Sequence, residues 1–218
     1  GALTGTGIKI WDNDVSKIHT GTSVGQVISY GTVQSTREDR VRYDTPTFMG
    51  ARLAVSSGTG GTGDVGAFYA NKFGAFDVDG RIGYRTISGI DTTYDDMIGG
   101  SLAVGHTSGL NASFAMGKVD FKATGRDSST FVGGQLGYTA KIFGVGPTGF
   151  AADYYQQKDL NANDWKGESW GLGAQQSFAD IGSDVFIGYR NFSFSAPASA
   201  GVDPDDVNLV IAGIRVAF

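Results

Sequence analysis

From residue 39 onward, apolar side chains alternate with small or polar ones over short segments. Alternation with a period of two predicts β-strands, because successive side chains of a strand point to opposite faces. A tilted strand needs about 9 to 11 residues to cross the hydrocarbon of a membrane. About eleven segments of this kind are predicted, at 39–45, 48–57, 65–73, 75–86, 96–106, 110–120, 130–141, 148–157, 167–178, 184–193 and 206–218.

The connections between these segments alternate between short and long. The short ones are turn-sized clusters with glycine or proline, at 45–47, 73–74, 107–109, 143–146 and 179–183. The long ones are polar and fall at 56–64, 87–95, 121–129, 158–166 and 194–205. Short turns at one rim and long loops at the other are typical of an antiparallel barrel in an outer membrane. The sequence therefore predicts an all-β fold, a transmembrane antiparallel β-barrel with about eleven strands in this chain.

The two sides of the predicted strands differ sharply in polarity. In the fourth segment, apolar Phe76, Val78, Ile82 and Tyr84 share one side, and charged Asp77, Asp79, Arg81 and Arg85 share the other. The seventh segment separates Val132, Leu136 and Tyr138 from Gln135, Thr139 and Lys141, and the last separates Ala212, Ile214, Val216 and Phe218 from Gly213 and Arg215. The third segment has no clear phase, since Ala67, Phe68, Tyr69 and Ala70 follow one another. A membrane barrel turns the apolar side to lipid, whereas a soluble sandwich or lipocalin-like barrel, the alternative, buries it.

Aromatic residues near the segment ends favour the membrane alternative. Barrels in membranes carry aromatic girdles at both interfaces, whereas a sandwich places most of its aromatics in the middle. The predicted girdle residues are Tyr43, Phe48, Phe73, Tyr84, Tyr138, Phe143, Tyr154, Trp165, Trp170, Tyr189, Phe192 and Phe218.

Composition excludes several other classes of protein. Hydrophobic residues make up 40% of the 218 residues, and no stretch approaches the roughly 20 apolar residues of a spanning helix. The absence of cysteine excludes a disulfide scaffold and a thiolate metal site. A net charge of -5 argues against a nucleic-acid binder, which needs a basic surplus for phosphate contacts.

Residues 1–38 show no sustained alternation, and eleven strands raise a problem of parity. A sheet that closes on itself normally has an even number of antiparallel strands. Either Thr4 to Trp11 or Val24 to Tyr30 supplies a twelfth strand, or the chain is the C-terminal part of a larger barrel.

Two segments resemble a known family. Residues 39–50, with the sequence DRVRYDTPTFMG, resemble the strand, turn and strand that follow the constriction loop of Gram-negative general diffusion porins, especially the alphaproteobacterial kind. Residues 206–218 resemble the closing strand of those porins, whose final aromatic, here Phe218, is read by the barrel-assembly machinery. The resemblance implies strands 6 to 16 of a sixteen-stranded barrel, with about five strands upstream. Residues 1–38 would then be the infolded constriction loop and its exit, and residues 39–218 the barrel strands.

The same resemblance implies a passive function in the outer membrane, without catalysis or a cofactor. The protein would be a water-filled channel for the diffusion of small hydrophilic solutes and ions. It would form a homotrimer in contact with lipid and lipopolysaccharide. Acidic loop residues would face basic residues of the wall, and here Asp12 and Asp14 are the loop candidates.

Alternation identifies the candidate residues of the wall. Arg40 and Arg42 share a face, and an arginine on the lipid side near the midplane would cost roughly 2–4 kcal/mol, so this face is expected to line the lumen. The same argument gives further lumen candidates: Arg52, Asp77, Asp79, Arg81, Arg85, Arg190 and Arg215. The alternative is a lattice of ion pairs with Asp44, Asp77, Asp79 and Asp153 that only solvates the lumen.

Other chemical motifs fit the strand pattern better than they fit a site. Gly58 to Gly63 matches a dinucleotide fingerprint, and Gly167 to Gly171 a nucleophile elbow around Ser169, but both motifs need a following helix where strands are predicted. One alternative function is a complete twelve-stranded barrel that acts as a translocator or a phospholipase-like enzyme, with His106 as the candidate base of the enzyme. The other is a structural outer-membrane anchor with a blocked lumen. Acidic loop clusters at 95–96 and 203–206 are candidate sites for divalent cations that bridge lipopolysaccharide, although solvated loop charge is the preferred interpretation.

Overall fold

A computed structural model describes residues 17–19, 22–23, 39–87, 93–160, 162–201 and 203–216. Two short antiparallel strands, β1 (Lys17–His19) and β2 (Thr22–Ser23), pair with each other. Eleven further strands form one antiparallel sheet: β3 (Arg40–Asp44), β4 (Ala51–Gly58), β5 (Thr62–Phe73), β6 (Phe76–Ile87), β7 (Tyr94–His106), β8 (Leu110–Phe121), β9 (Ser129–Phe143), β10 (Gly146–Lys158), β11 (Lys166–Phe178), β12 (Ser183–Ser195) and β13 (Val207–Val216).

The predicted all-β fold and the eleven strands of the main sheet are confirmed. Each strand pairs with its neighbour in the chain, so the order in the sheet is the order in the sequence. The candidates for a twelfth strand, Thr4 to Trp11 and Val24 to Tyr30, lie outside the described residues, as does Phe218. In the described ranges, no helix has the length and apolar character needed to cross a membrane.

The predicted length of one connection is wrong. Residues 56–64 were expected to form a long loop, but β4 continues to Gly58 and β5 begins at Thr62, which leaves only residues 59–61 between them. Gly60 and Gly61 have φ angles of 78° and 75°, so this glycine pair turns the chain tightly enough for Gly58 to pair with Thr62. The four other long connections remain, at 88–93, 122–128, 159–165 and 196–206.

The strand register separates the sheet into two faces of different character. Directly paired residues lie on the same face, and the pairings place Tyr43, Val55, Val65 and Tyr84 in one continuous row. This outer face is apolar and open: Ile82, Leu136 and Ile214 are 57%, 67% and 71% exposed. The exposed large side chains of the strands are therefore concentrated on the face where alternation predicts contact with lipid.

The opposite face is polar and crowded. Its buried side chains include Gln135 and Arg190, which are 8% and 3% exposed although each lies on a single layer of sheet. Such burial on one face only requires that the sheet curves, so that side chains on the concave side converge. We call this side the inner face; Phe68, in the strand with no clear phase, belongs to it because Phe68 pairs with Arg52 and Arg81.

Two of the predicted girdle aromatics lie on the inner face, so their assignment was wrong. Phe192, which is 1% exposed, and Trp165, which is 8% exposed, form an apolar cluster with Tyr155 and Phe194. Phe192 pairs with Ser169 on the inner face, and Trp165 joins the cluster from the connection between β10 and β11. The period of two still holds for Phe192; the error came from reading proximity to a strand end as an outward direction.

Within the described residues, the sheet order ends at β3 on one side and β13 on the other. Each of these strands has one pairing neighbour in the sheet, and their outer edges carry backbone groups that a closed barrel would pair. A membrane-spanning sheet needs those edges to be satisfied, because hydrocarbon offers no hydrogen bonds.

A pair of turn glycines provides a test of the strand packing. Gly109 has a φ of 92°, and a Cβ there would overlap the carbonyl oxygen of Thr139 on β9, whereas Gly74, with a φ of 59°, has open space around the same position. We expect Gly109→Asn to lower the free energy of unfolding by roughly 1–3 kcal/mol. Gly74→Asn is the matched control and should have a small effect, since asparagine tolerates the left-handed conformation. Urea unfolding of the refolded barrel measures both; equal losses would contradict the packing described here.

Candidate functional site

The inner face of β3 to β6 carries a dense ladder of charged side chains. The strand register places Arg42, Ser56, Asp64 and Arg85 side by side in one row across the four strands. A second row contains Arg52, Phe68 and Arg81. The complete set on these four strands is Arg40, Arg42, Asp44, Arg52, Asp64, Lys72, Asp77, Asp79, Arg81 and Arg85. Eight of its ten members were predicted as lumen or lattice residues; Asp64 and Lys72 were not.

Asp44 is held between two arginines. Arg42 donates to both of its carboxylate oxygens, from Nε at 2.7 Å and from Nη2 at 2.8 Å, and Arg52 forms an ion pair with the same carboxylate. The guanidinium carbon of Arg52 lies 4.4 Å from the ring centroid of Phe68, and that of Arg42 lies 5.9 Å away. The aromatic ring and the carboxylate together fix both guanidinium groups. The Arg42 side chain remains 42% exposed and the Arg52 side chain 33% exposed.

Asp64 forms the second junction of the ladder. It lies 3.7 Å from Arg40 and 3.6 Å from Arg85, measured between nitrogen and oxygen, and accepts a 2.8 Å hydrogen bond from the Ser56 hydroxyl. The sequence placed Asp64 at the end of a long loop, so its role was missed. The usable signal was its position two residues after Thr62, in phase with Phe68.

Near the short turn between β5 and β6, the ladder consists of simple ion pairs. Arg81 donates to Asp79 at 2.8 and 3.1 Å, and the Lys72 ammonium lies 2.8 Å from Asp77. These side chains are between 44% and 80% exposed. Ion pairs so accessible to water contribute little to stability, so their main physical effect is the field they create along the wall.

The structure does not bring Arg190 and Arg215 into this ladder. Arg190 lies on β12, where its guanidinium contacts Asp153 at 2.6 and 2.7 Å and Ser169 at 2.6 Å. Gly171 leaves space beneath it, since a Cβ there would lie 2.7 Å from Nη2. Arg215 pairs with Asp184 near the short-turn rim, with its Nε at 2.9 Å. Arg190 is therefore a buried clamp between β10, β11 and β12, and it presents no accessible charge.

Asp12 and Asp14, the predicted acidic residues of the loop, lie outside the described residues. Their role remains a prediction.

Two of the long connections, between β8 and β9 and between β10 and β11, are tied to each other at the rim opposite the short turns. Arg126, between β8 and β9, donates to the carbonyl oxygens of Asp159 and Leu160, both at 3.1 Å, and lies 4.5 Å above the Phe121 ring. Asn163 returns a 2.8 Å hydrogen bond to the carbonyl of Gly125. The two connections consequently form one unit above the inner aromatic cluster.

The motifs that suggested enzymes have structural explanations. Gly58 to Gly63 is the tight turn between β4 and β5, and Ser169 lies within β11, 1% exposed and bonded to Arg190. His106 accepts the backbone N–H of Ser108 through Nδ1 at 3.2 Å, and the Ser108 hydroxyl lies 2.8 Å from the same nitrogen, as expected for a capped turn. Among the residues that the structure describes, no group of three or more histidine, aspartate or glutamate side chains is arranged to hold a metal ion.

Comparison with protein families gives one match that spans most of the chain. A model described as "Gram-negative porin" matches residues 2–197. No curated protein matches the sequence.

Comparison with solved structures finds outer-membrane proteins. A loop-deletion mutant of OmpT, an outer membrane protein of Vibrio cholerae, is similar with a TM-score of 0.57 and 15% identity over 86% of this chain. OccAB4 of Acinetobacter baumannii gives 0.57 and 12% over 87%, and an anion-selective porin from Comamonas acidovorans gives 0.55 and 18% over 83%. This chain spans 65%, 56% and 59% of those three proteins, respectively. At such identities the likeness shows the fold alone.

The buried clamp can be tested by comparing single and double variants. Arg190→Met leaves the Asp153 carboxylate without its partner, so we expect the free energy of unfolding to fall by about 3–5 kcal/mol. In the double variant Arg190→Met with Asp153→Leu, no uncompensated charge remains, and most of the loss should be recovered. Urea unfolding measures both; a double variant no more stable than Arg190→Met would contradict the clamp.

Proposed function

This chain belongs to the Gram-negative porin family, and we propose that it forms much of the wall of an outer-membrane channel through which small polar solutes and ions diffuse passively. The proposal concerns the whole protein, because this chain spans only 56% to 65% of the length of the related structures.

The observation that carries the proposal is the separation of the two faces. Ile82 faces outward on β6 and is 57% exposed, while its neighbours Arg81 and Arg85 face inward, where they pair with Asp79 and Asp64. An open apolar surface of this extent is unfavourable in water and favourable in lipid. Guanidinium groups on the other face need water, which a lumen supplies.

The charged side chains of the inner ladder support a channel that sorts solutes by charge and size and carries out no reaction on them. Fixed charges on a water-filled wall create a local field that attracts or repels solutes according to their charge. The ion pairs hold these charges in place, and solutes diffuse past them down their concentration gradients. We propose that the channel needs neither a cofactor nor a catalytic step.

The remaining predictions from the family resemblance belong to the same proposal. We propose that residues 1–38 form the constriction loop and that additional strands complete a sixteen-stranded barrel, which is consistent with a sheet that, within the described residues, ends at β3 and β13. We propose further that the protein is a homotrimer, in contact with lipid and lipopolysaccharide, and that the barrel-assembly machinery inserts it through the segment ending in Phe218.

The absence of cysteine allows the two faces to be distinguished directly. Arg81→Cys places a thiol on the inner face and Ile82→Cys places one on the outer face, one residue away. In planar bilayers, a charged thiosulfonate reagent should change the current through Arg81→Cys within minutes and leave that through Ile82→Cys unchanged. The cysteine-free protein is the control for both. Reaction at Ile82→Cys only, or a wild-type protein that conducts no ions, would overturn the proposal.

The role of residues 1–38 has its own test. If this segment lies in the lumen, the same reagent should reduce the current through Asp14→Cys by adding bulk at the narrowest point. Ile82→Cys again serves as the control. An unchanged current at full labelling, measured by mass spectrometry, would exclude a constriction by this part of the segment.

A further inference from the structure

The inner face has a charge of opposite sign to that of the whole chain. The chain carries a formal net charge of -5. Among residues paired between strands, the inner face has eight basic and six acidic side chains, an excess of two positive charges. The basic residues are Arg40, Arg42, Arg52, Lys72, Arg81, Arg85, Arg190 and Arg215, and the acidic ones are Asp44, Asp64, Asp77, Asp79, Asp153 and Asp184. The strand register therefore separates the charge of the wall from that of the loops.

The positive excess is local to β3 to β6. Among the paired residues of the other strands, Arg190 pairs with Asp153 and Arg215 with Asp184, so those charges balance one to one. On β3 to β6, six basic side chains face four acidic ones. The net positive charge of the described wall therefore lies on β3 to β6, because balanced ion pairs act mainly as dipoles.

The cluster formed by Arg42, Asp44 and Arg52 is the clearest source of that excess. Two guanidinium groups share a single carboxylate, which leaves one positive charge in the cluster. Both side chains are partly exposed, and the Phe68 ring beneath them fixes their position. Planar guanidinium groups bind carboxylate and phosphate oxygens through paired hydrogen bonds, which an ammonium group cannot do in the same geometry.

The first 38 residues carry no net charge of their own. Their basic residues are Lys9, Lys17 and Arg37, and their acidic residues are Asp12, Asp14 and Glu38. With three charges of each sign, this segment adds no net charge to the lumen if it lies there.

We propose that the channel prefers anions, and that Arg42 and Arg52, held by Asp44 and Phe68, form a transient binding site for small solutes carrying a carboxylate or phosphate group. The inference rests on the proposed channel function and adds to it the class of solute. The proposed preference is the opposite of what the net charge of -5 on the whole chain alone would give.

The reversal potential in a potassium chloride gradient measures the preference. We expect chloride to be more permeant than potassium in the wild-type channel. Arg42→Gln and Arg52→Gln should each lower the chloride-to-potassium permeability ratio by roughly two- to sixfold, because one elementary charge acting through water over about 8 to 16 Å changes the Boltzmann weights of chloride and potassium by about 1.5- to 2.4-fold each, in opposite directions. Asp44→Asn, which removes the carboxylate but no arginine, should raise the ratio.

The matched control is Lys158→Gln, which also removes one positive charge. Lys158 lies opposite Lys166 across neighbouring strands on the outer face, so loss of its charge should leave the permeability ratio unchanged. Liposome swelling gives a second measurement: glucuronate should enter faster than glucosamine, which has a similar ring size, and Arg42→Gln should reduce this difference.

The outcomes separate the inference from the function on which it rests. A protein that conducts ions but prefers potassium, or one in which Arg42→Gln and Lys158→Gln have equal effects, would overturn the anion preference and leave the channel intact. A protein without conductance would overturn the channel itself. A normal ratio in Arg52→Gln with a reduced ratio in Arg42→Gln would overturn the two-arginine site.

Discussion

Hydrogen bonding between adjacent antiparallel strands is the constraint on which the rest of this structure depends. Hydrocarbon supplies no partner for a backbone N–H or C=O group, so each strand must satisfy its backbone through its neighbours. The register that results also fixes which way each side chain points, because the side-chain period is two. A slip of one residue along β6 would exchange Ile82 with Arg81 and place a guanidinium group in lipid.

Within that frame, the inner face shows two different uses of arginine. Arg190 is buried with Asp153 and Ser169, where it joins three strands and has almost no contact with water. Arg42 and Arg52 share one carboxylate and stay partly exposed. A buried, balanced pair stabilises local structure but contributes little field, whereas an exposed and unbalanced cluster does the reverse. On the same inner face, arginine therefore serves packing on β12 and electrostatics on β3 and β4.

Aromatic residues divide in a similar way between the faces. Outward aromatics such as Tyr84 and Trp170 remain open on the surface proposed to contact lipid, while Tyr155, Trp165 and Phe192 fill the inner face near the long connections. Arg126 and Asn163 tie those connections to each other. The inner face thus combines a charged region on β3 to β6 with an apolar region on β10 to β12, near the rim that carries the long connections.

Alternation in the sequence was enough to predict the strands, their order and most of their faces, since each strand has one apolar side and adjacent strands are joined directly. It was not enough for Phe68, whose strand has apolar residues on both sides, or for Trp165, whose position depends on how a connection folds. Asp64 was missed because the glycine pair at 60–61 shortens a connection that its composition made look long.

The sequence by itself determined the eleven strands of the main sheet and the polarity of their two sides, because both follow from local periodicity. Only the tertiary structure decided which carboxylate serves which arginine. Arg42 and Asp44 lie two residues apart on β3, but Arg52 reaches the same carboxylate from β4, so the sharing of Asp44 depends on the register between β3 and β4 and on a ring from β5. Charge pairing across strands has no signature along the chain, since it arises where curvature and register bring distant side chains together.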